Sequence, residues 1–355
     1  MVHESIIGKH PEQERDVMLY ARGLVKSFAM KSHQGWRTVE QEIRAVNDVG
    51  FSLGRGETLG LVGESGCGKS TLAKMLVRLI EPTAGSIELD GEDILSLNTE
   101  AMRQMRRRIQ MIFQDPYSSL NPRMTVAEII GESWVVFPDI VPPEKREERI
   151  SELLHQVGLN TSDADRYPHQ FSGGQRQRIG IARALAVEPE VIICDEPVSA
   201  LDVSVQAQVI NLLMDIQRDT GVAYVFIAHD LSVVRHISDR VMVMYLGEII
   251  EGGPVEQVFE HPQHPYTAAL LSSVPVQDPE QKGRRVLALP GEVPSPMNPP
   301  PGCKFHTRCP YATDICRTQA PETQGDMMQR GVRCHHTDRL DFSEYLEHIR
   351  ARATG

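Results

Sequence analysis

No apolar run in this 355-residue chain approaches the length needed to cross a bilayer. The longest candidates, such as residues 222–228, are of strand length. The opening residues, MVHESIIGKHPEQERD, have no apolar core and no cleavage-site pattern, so no secretory leader is expected there and a cytosolic protein is. Any contact with a membrane is then expected through partner proteins. A surplus of positive charge is missing too. The 37 Lys and Arg face 48 Asp and Glu, a formal net charge of -11, which argues against nucleic acid as the main partner. Sustained heptads and internal repeats are absent. Short C-x-x-C pairs, usual in zinc and ferredoxin sites, are absent among the six cysteines.

What is present suits a globular protein with one large domain and a smaller one: 41% hydrophobic and 24% charged residues. Residues 1–16 are polar and expected to be flexible. Alternation of strand type runs over 17–28 and 43–53, separated by a polar stretch over 31–42. Residues 57–62 read as a short buried strand. A glycine-rich turn follows, then Leu72, Met75, Leu76, Leu79 and Ile80 at helical spacing. Strand, glycine loop and helix begin an α/β nucleotide-binding core. A strand is expected over 108–113. From 114 to about 185 the pattern turns helical, with Ile150, Leu153, Leu154 and Val157 on one face and a further helix over 176–186. Strands resume at 191–194 and 223–228. Between them Val205, Val209, Leu212, Leu213 and Ile216 form a core stripe. Beyond about residue 270, Pro290, Pro294, Pro296 and Pro299 to Pro301 mark a stiff extended stretch. Four cysteines follow, then an amphipathic tail with Phe342, Tyr345, Leu346 and Ile349. This part reads as a separate C-terminal module.

Gly63-Glu-Ser-Gly-Cys-Gly-Lys-Ser70 has the P-loop spacing. Glycines let the backbone wrap a polyphosphate and aim N–H groups at its oxygens, and the following helix adds its positive end. Lys69 reaches the β- and γ-phosphates, and the Ser70 hydroxyl is a Mg²⁺ ligand. Cys67 lies inside the loop, near a helix start that could lower its pKa. The favoured reading is that its side chain points away. Residues 191–194 lead into Asp195 and Glu196. One carboxylate at a strand end suits Mg²⁺, and a second can orient and deprotonate water. Cys194 is read as a buried strand residue.

Phe171-Ser-Gly-Gly-Gln-Arg176 resembles the signature motif of ATP-binding cassette proteins, and it stands shortly before the Asp195–Glu196 strand as in that family. Gln114 is similar to the family's Q-loop glutamine, Ser199-Ala-Leu-Asp202 to its D-loop and His229 to its switch histidine. Phe28 is placed to stack on adenine. The resemblance implies an α/β fold: a P-loop NTPase cassette over 17–270, with a RecA-like core, an antiparallel β-subdomain and a helical insertion over about 115–185, plus the small Cys-containing module over 271–355. It implies ATP and Mg²⁺ as ligands. Contacts to nucleotide are expected from Phe28, Gly63, Ser65, Gly66, Cys67, Gly68, Lys69, Ser70, Thr71, Gln114 and Asp195, with Ser70, Gln114 and Asp195 at Mg²⁺. Glu196, His229, Gln114 and Lys69 are the expected catalytic set. Ser172, Gly173, Gly174 and Asp202 would act across a head-to-tail pair of cassettes.

The segments Tyr245-Leu-Gly-Glu-Ile249, His264-Pro-Tyr-Thr267, Leu289-Pro-Gly-Glu-Val-Pro-Ser-Pro296 and Asn298-Pro-Pro-Pro-Gly-Cys303 resemble the oligopeptide/dipeptide importer branch. Ser119-Leu-Asn-Pro-Arg123 and Asp202-Val-Ser-Val205 are most similar to its second, F-type, ATPase subunit. The implied partners are a second ATPase subunit, different or identical, two transmembrane permeases and, indirectly, an external solute-binding protein. The implied place is the cytoplasmic side of the inner membrane. Peptides are the first substrate class, with glutathione and nickel as alternatives within the branch. A soluble cassette ATPase working on nucleic acid or ribosomes is the competing class, and a catalytically dead subunit the third.

Cys303, Cys309, Cys316 and Cys334 are separated by five, six and seventeen residues. Four thiolates could hold a [4Fe–4S] cluster or Zn²⁺, and the resemblance favours iron–sulfur. His306, His335 and His336 are read as surface residues.

Overall fold

The computed structural model describes residues 17–34, 37–115, 117, 119–274 and 286–350. The expected flexible segment over 1–16 lies outside the described residues, as does part of the stretch beyond 270.

β1 (Val17–Gln34) and β2 (Arg37–Gly54) are long antiparallel partners. The polar stretch over 31–42, expected to interrupt them, continues the pairing instead, from Lys31 opposite Glu40 to Gln34 opposite Arg37. Backbone bonding there does not need an apolar face. β3 (Thr58–Val62) is buried along its length and feeds α1 (Lys69–Leu76) through the glycine loop. β4 (Ala84–Leu89) and β5 (Glu92–Asp93) then join a four-stranded antiparallel sheet in the order β2-β1-β4-β5. α2 (Thr99–Arg108), capped by Asn98, leads to β6 (Ile109–Ile112).

Three helices follow: α3 (Val126–Val136), α4 (Arg146–Gln156) and α5 (Gly173–Leu185). Thr125 and Glu128 start α3 with a reciprocal capping box, Thr125 N–H donating to Glu128 Oε2 at 2.7 Å. Trp134 is fully buried, and its Nε1–H donates to the Ala186 carbonyl at 2.8 Å, which ties α3 to the end of α5.

β7 (Val191–Asp195), α6 (Val203–Thr220), β8 (Ala223–Ile227), α7 (Leu231–Ile237), β9 (Arg240–Tyr245) and β10 (Glu248–Pro254) complete the larger sheet, with α8 (Val255–Glu260) and α9 (Pro265–Ser272) behind it. With β11 (Gln324–Asp326) and β12 (Arg330–Val332) its order is β11-β12-β10-β9-β3-β8-β7-β6, parallel from β9 to β6 and antiparallel beyond β9. Parallel strands buried on both faces need apolar residues at every position, and alternation sorts them into two cores. Val191, Ile193, Val225, Ile227, Met242 and Met244 face the smaller sheet, α1 and α2. Ile192, Cys194, Tyr224, Phe226, Val241 and Val243 face the helices of the other side. Gly60 on β3 allows α7 to approach: a Cβ there would stand 2.5 Å from Val234 Cγ1.

The expected separate C-terminal module is corrected by the structure. α10 (Asp314–Thr318) is followed by β11 (Gln324–Asp326) and β12 (Arg330–Val332), which add to the main sheet, with Glu251 of β10 opposite Val332. Phe342, and Leu346 of α11 (Ser343–Arg350), bury in the helical-side core together with Val209, Ile210 and Tyr224. The reason is apolar area: a short, proline-rich tail cannot enclose a core of its own, so its large side chains use the existing one.

Phe342 is 3% exposed. Phe342→Ala should therefore destabilise the whole chain by about 3–5 kcal/mol, lowering one thermal transition of the full-length protein. A nucleotide-protected transition left unmoved by that change would mean the tail folds on its own.

Candidate nucleotide site

The loop after β3 bends back on itself with positive φ at Gly63, Gly66 and Gly68. At Gly68 a Cβ would lie 2.1 Å from the Ala45 carbonyl oxygen, and at Gly63 2.2 Å from that of Met244. No other residue fits these places. α1 begins at Lys69 with no side chain capping its first N–H groups, so its positive end is open toward the loop.

Lys69 is buried, and its ammonium donates to the carbonyls of Gly63 (2.7 Å) and Glu64 (3.1 Å). The Ser70 hydroxyl donates to Asp195 Oδ1 at 2.9 Å. Asp195 ends β7 in a buried place, and burial raises its pKa above the usual carboxylate value while the Ser70 hydrogen bond opposes that. Glu196 follows in left-handed backbone (φ 47), held by its N–H to the Ile227 carbonyl at 3.0 Å. That turn aims its carboxylate at two further groups. Gln114 Nε2 donates to Glu196 Oε2 at 2.8 Å, and His229 Nδ1 stands 3.7 Å from the same oxygen. The ends of β3, β6, β7 and β8 thus bring together an ammonium, a hydroxyl, two carboxylates, an amide and an imidazole.

A hydroxyl, a carboxylate and an amide oxygen form a hard-oxygen donor set of the kind Mg²⁺ takes. Backbone N–H groups, an ammonium and a helix N-terminus are the kind of set a polyphosphate takes. A carboxylate between an amide and an imidazole can hold and deprotonate a water.

Other expected residues sit elsewhere or serve local structure. Ser172 caps α5 in a capping box with Gln175, and Asp202 caps α6 by accepting the Val205 N–H at 3.0 Å. The capping hydrogen bonds hold the Asp202 carboxyl below its ordinary pKa. A Cβ at Gly174 would meet Val205 Cγ1 at 2.3 Å, so this glycine also lets α5 lie against α6. Phe28 is half exposed on β1, with the Lys26 ammonium 5.1 Å from its ring centroid. The Cys67 thiol is buried, which raises its pKa.

Sequence reasoning missed a brace behind the loop. The Glu64 N–H donates to the Tyr266 hydroxyl at 2.9 Å, and Arg308 donates to both Glu64 carboxylate oxygens at 2.6 and 3.0 Å. Neither contact has a local signal, since the partners lie 202 and 244 residues away in the chain.

The metal expectation for the C-terminal cysteines is overturned. Among the described residues, no group of three or more His, Cys, Asp or Glu side chains could hold a metal ion. Burial raises the thiol pKa of Cys303 to about 11 and of Cys309 to about 12, and that of Cys334 upward. Neither an iron–sulfur cluster nor zinc is therefore assigned.

Residues 46–199 match the family model described as ABC transporter, and residues 250–316 the one described as oligopeptide/dipeptide transporter, C-terminal region. The oligopeptide transport ATP-binding protein AppF of Bacillus subtilis (strain 168) is 53% identical over 323 residues, covering 90% of this chain and 98% of that protein. The oligopeptide transport ATP-binding protein OppF of Escherichia coli (strain K12) is 49% identical over 328 residues, covering 92% and 98%. Among solved structures, the dimeric bacterial ABC transporter cassette MJ0796 is similar with a TM-score of 0.59 and 30% identity, covering 67% of this chain and 99% of that one.

The brace carries a pH prediction. His264 is buried, its Nδ1 accepts the Tyr266 N–H at 3.1 Å, and burial pushes its pKa from 6.5 down to about 3. The unfolded chain binds a proton in that window and the folded chain does not. Stability from this group is full above pH 6.5 and falls as pH drops toward 3, by about 2 kcal/mol at pH 5. His264→Asn, which can still accept the Tyr266 N–H, should lack that part of the acid loss in melts at pH 7 and pH 5. An unchanged slope would contradict it.

Proposed function

The chain belongs to the ABC transporter ATP-binding family, in its oligopeptide/dipeptide branch, and from that premise we propose that it is the ATP-hydrolysing subunit that drives import of di- and oligopeptides. The relatives' printed roles in peptide transport support this substrate class over glutathione, nickel, or work on nucleic acid or ribosomes. The observation that carries the reading is the Glu196 carboxylate held between Gln114 and His229, next to the Ser70–Asp195 pair and the Lys69 loop.

In this reading the parallel strands form a RecA-like core, the smaller sheet an antiparallel β-subdomain, and residues 115–185 a helical insertion, within a cassette over 17–270. The loop amides from Gly63 to Thr71, Ser65 and the Cys67 backbone among them, cradle the β- and γ-phosphates. Lys69 leaves the Gly63 and Glu64 carbonyls to reach them, and Phe28 stacks on adenine. Ser70, Asp195 and Gln114 would hold Mg²⁺, which would supply neutralisation of charge on the phosphates. Glu196 accepts a proton from a water in line with the γ-phosphate, and His229 donates to that phosphate.

Ser172, Gly173 and Gly174 present a second helix N-terminus, which caps ATP bound to a partner cassette, with Asp202 close to that junction. The dimeric form of the similar MJ0796 cassette supports such pairing. The partner is proposed to be a different ATPase chain, and the mass of the assembled complex distinguishes that from self-pairing. ATP closes the pair and hydrolysis opens it. Two permease subunits receive the motion at residues 115–125, of which 116 and 118 lie outside the described residues. Among the described residues no helix is long and apolar enough to cross a membrane, which fits a peripheral place at the inner face of the inner membrane. An external solute-binding protein would deliver the peptide.

Glu196→Gln should retain ATP binding, trap the closed pair and lower ATPase turnover of the assembled transporter by at least about a hundredfold. Parental turnover in that variant would rule out Glu196 as the base.

A further inference from the structure

The loop is supported from outside the strand–loop–helix unit. The turn at 304–308 touches both sides of its foundation. Phe305 is 2% exposed and packs edge-on to Tyr245 and Tyr266, with ring centroids 5.3 and 5.4 Å away. Lys304 Nζ donates to the Leu246 carbonyl at 2.9 Å and pairs with Glu248 at 2.9 Å, gripping the β9–β10 hairpin. The same hairpin backs the loop, since Gly247 N–H donates to the Cys67 carbonyl at 2.9 Å. Arg308, whose side chain is 8% exposed, closes the brace with its two hydrogen bonds to Glu64. Glu64 is therefore fixed at its amide by Tyr266 and at its carboxylate by Arg308, while its carbonyl accepts Lys69.

We propose that Arg308 is a positioning residue for nucleotide binding: through Glu64 it sets the shape of the glycine loop and the place of the Lys69 ammonium, so that the C-terminal region tunes affinity for Mg-ATP. A fork-to-fork pair of this kind fixes orientation as well as distance, which a single point charge does not. Loss of the fork frees Glu64 to turn, and the Glu64 and Gly63 carbonyls that hold Lys69 turn with it. The γ-phosphate chemistry should be kept, because the hydrogen bonds of the brace run between Glu64, Tyr266 and Arg308 and do not involve Glu196, Gln114 or His229. The proposal rests on the nucleotide-binding reading of the loop.

The test uses the full-length chain for equilibrium binding of Mg-ATP, and the assembled transporter for ATPase kinetics. Arg308→Gln leaves Glu64 unpaired but still partly open to water, with its side chain 27% exposed, so the fold should survive. Binding of Mg-ATP should weaken about tenfold, with KM rising in step and kcat at saturating ATP within about twofold of the parent. Arg308→Lys keeps one charged donor and should recover to within about threefold of the parent. A purely structural role would lower the folded fraction and kcat together and leave KM alone, and that result overturns the proposal, as does parental affinity in Arg308→Gln. If Arg308→Gln does not fold, Glu64→Gln tests the pair from the loop side, with the same tenfold loss expected and parental affinity contradicting it. Lys69→Ala separates the two readings. Loss of binding there with none in Arg308→Gln sinks the brace alone. Parental binding in Lys69→Ala sinks the nucleotide reading beneath it.

Discussion

At Gly68 the backbone lies so close to β2 that a methyl group would stand 2.1 Å from the Ala45 carbonyl, and at Gly63 it lies equally close to β9. The loop between them is pinched from both sides and has one path to follow. That path decides where α1 begins, and hence where Lys69 and Ser70 stand. Ser70 meets Asp195 because β7 and β3 run parallel on either side of β8 and end at the same level. Glu196 then faces Gln114 because its left-handed backbone turns the chain away from the strand axis. The proposed chemistry therefore depends on a steric constraint at two glycines more than on any single attractive contact.

Much of this was legible in the chain. The strand, loop and helix around Gly63 announce themselves by local spacing, and the apolar runs ending at Asp195 and before His229 have no alternation because both of their faces are buried. The polar residues over 31–42 misled for the opposite reason, since their pairing rests on backbone bonds that carry no apolar signature. β11 and β12 were invisible because they are three residues each, with Gly325 and Gly331 inside them. Tyr266 and Arg308 could not be connected to Glu64 from sequence, because a contact across more than two hundred residues leaves no periodic trace. The capping uses of Ser172 and Asp202 could be read locally, while their proposed roles across a pair of cassettes need a second subunit.

The C-terminal region changes meaning once the fold is known. Its prolines and cysteines suggest an appended module, yet β12 extends the main sheet and Phe305, Phe342 and Leu346 bury in the common core. Its cysteines, Cys316 and Cys334 buried and Cys303 and Cys309 half-buried, form no metal-holding group among the described residues. What it adds to the site is mechanical: Phe305, which completes an aromatic cluster with Tyr245 of β9 and Tyr266 of α9, and two cations, Lys304 and Arg308, that hold the hairpin and Glu64 in place.

Amide hydrogen exchange of the full-length chain, with and without Mg-ATP, examines the cradle directly because it reads the backbone groups proposed to bind. Slower exchange concentrated over residues 63–71, with smaller changes after β7 and β8, is the result this account predicts. Saturating Mg-ATP that left those amides unchanged, or protected only a distant segment, would contradict it.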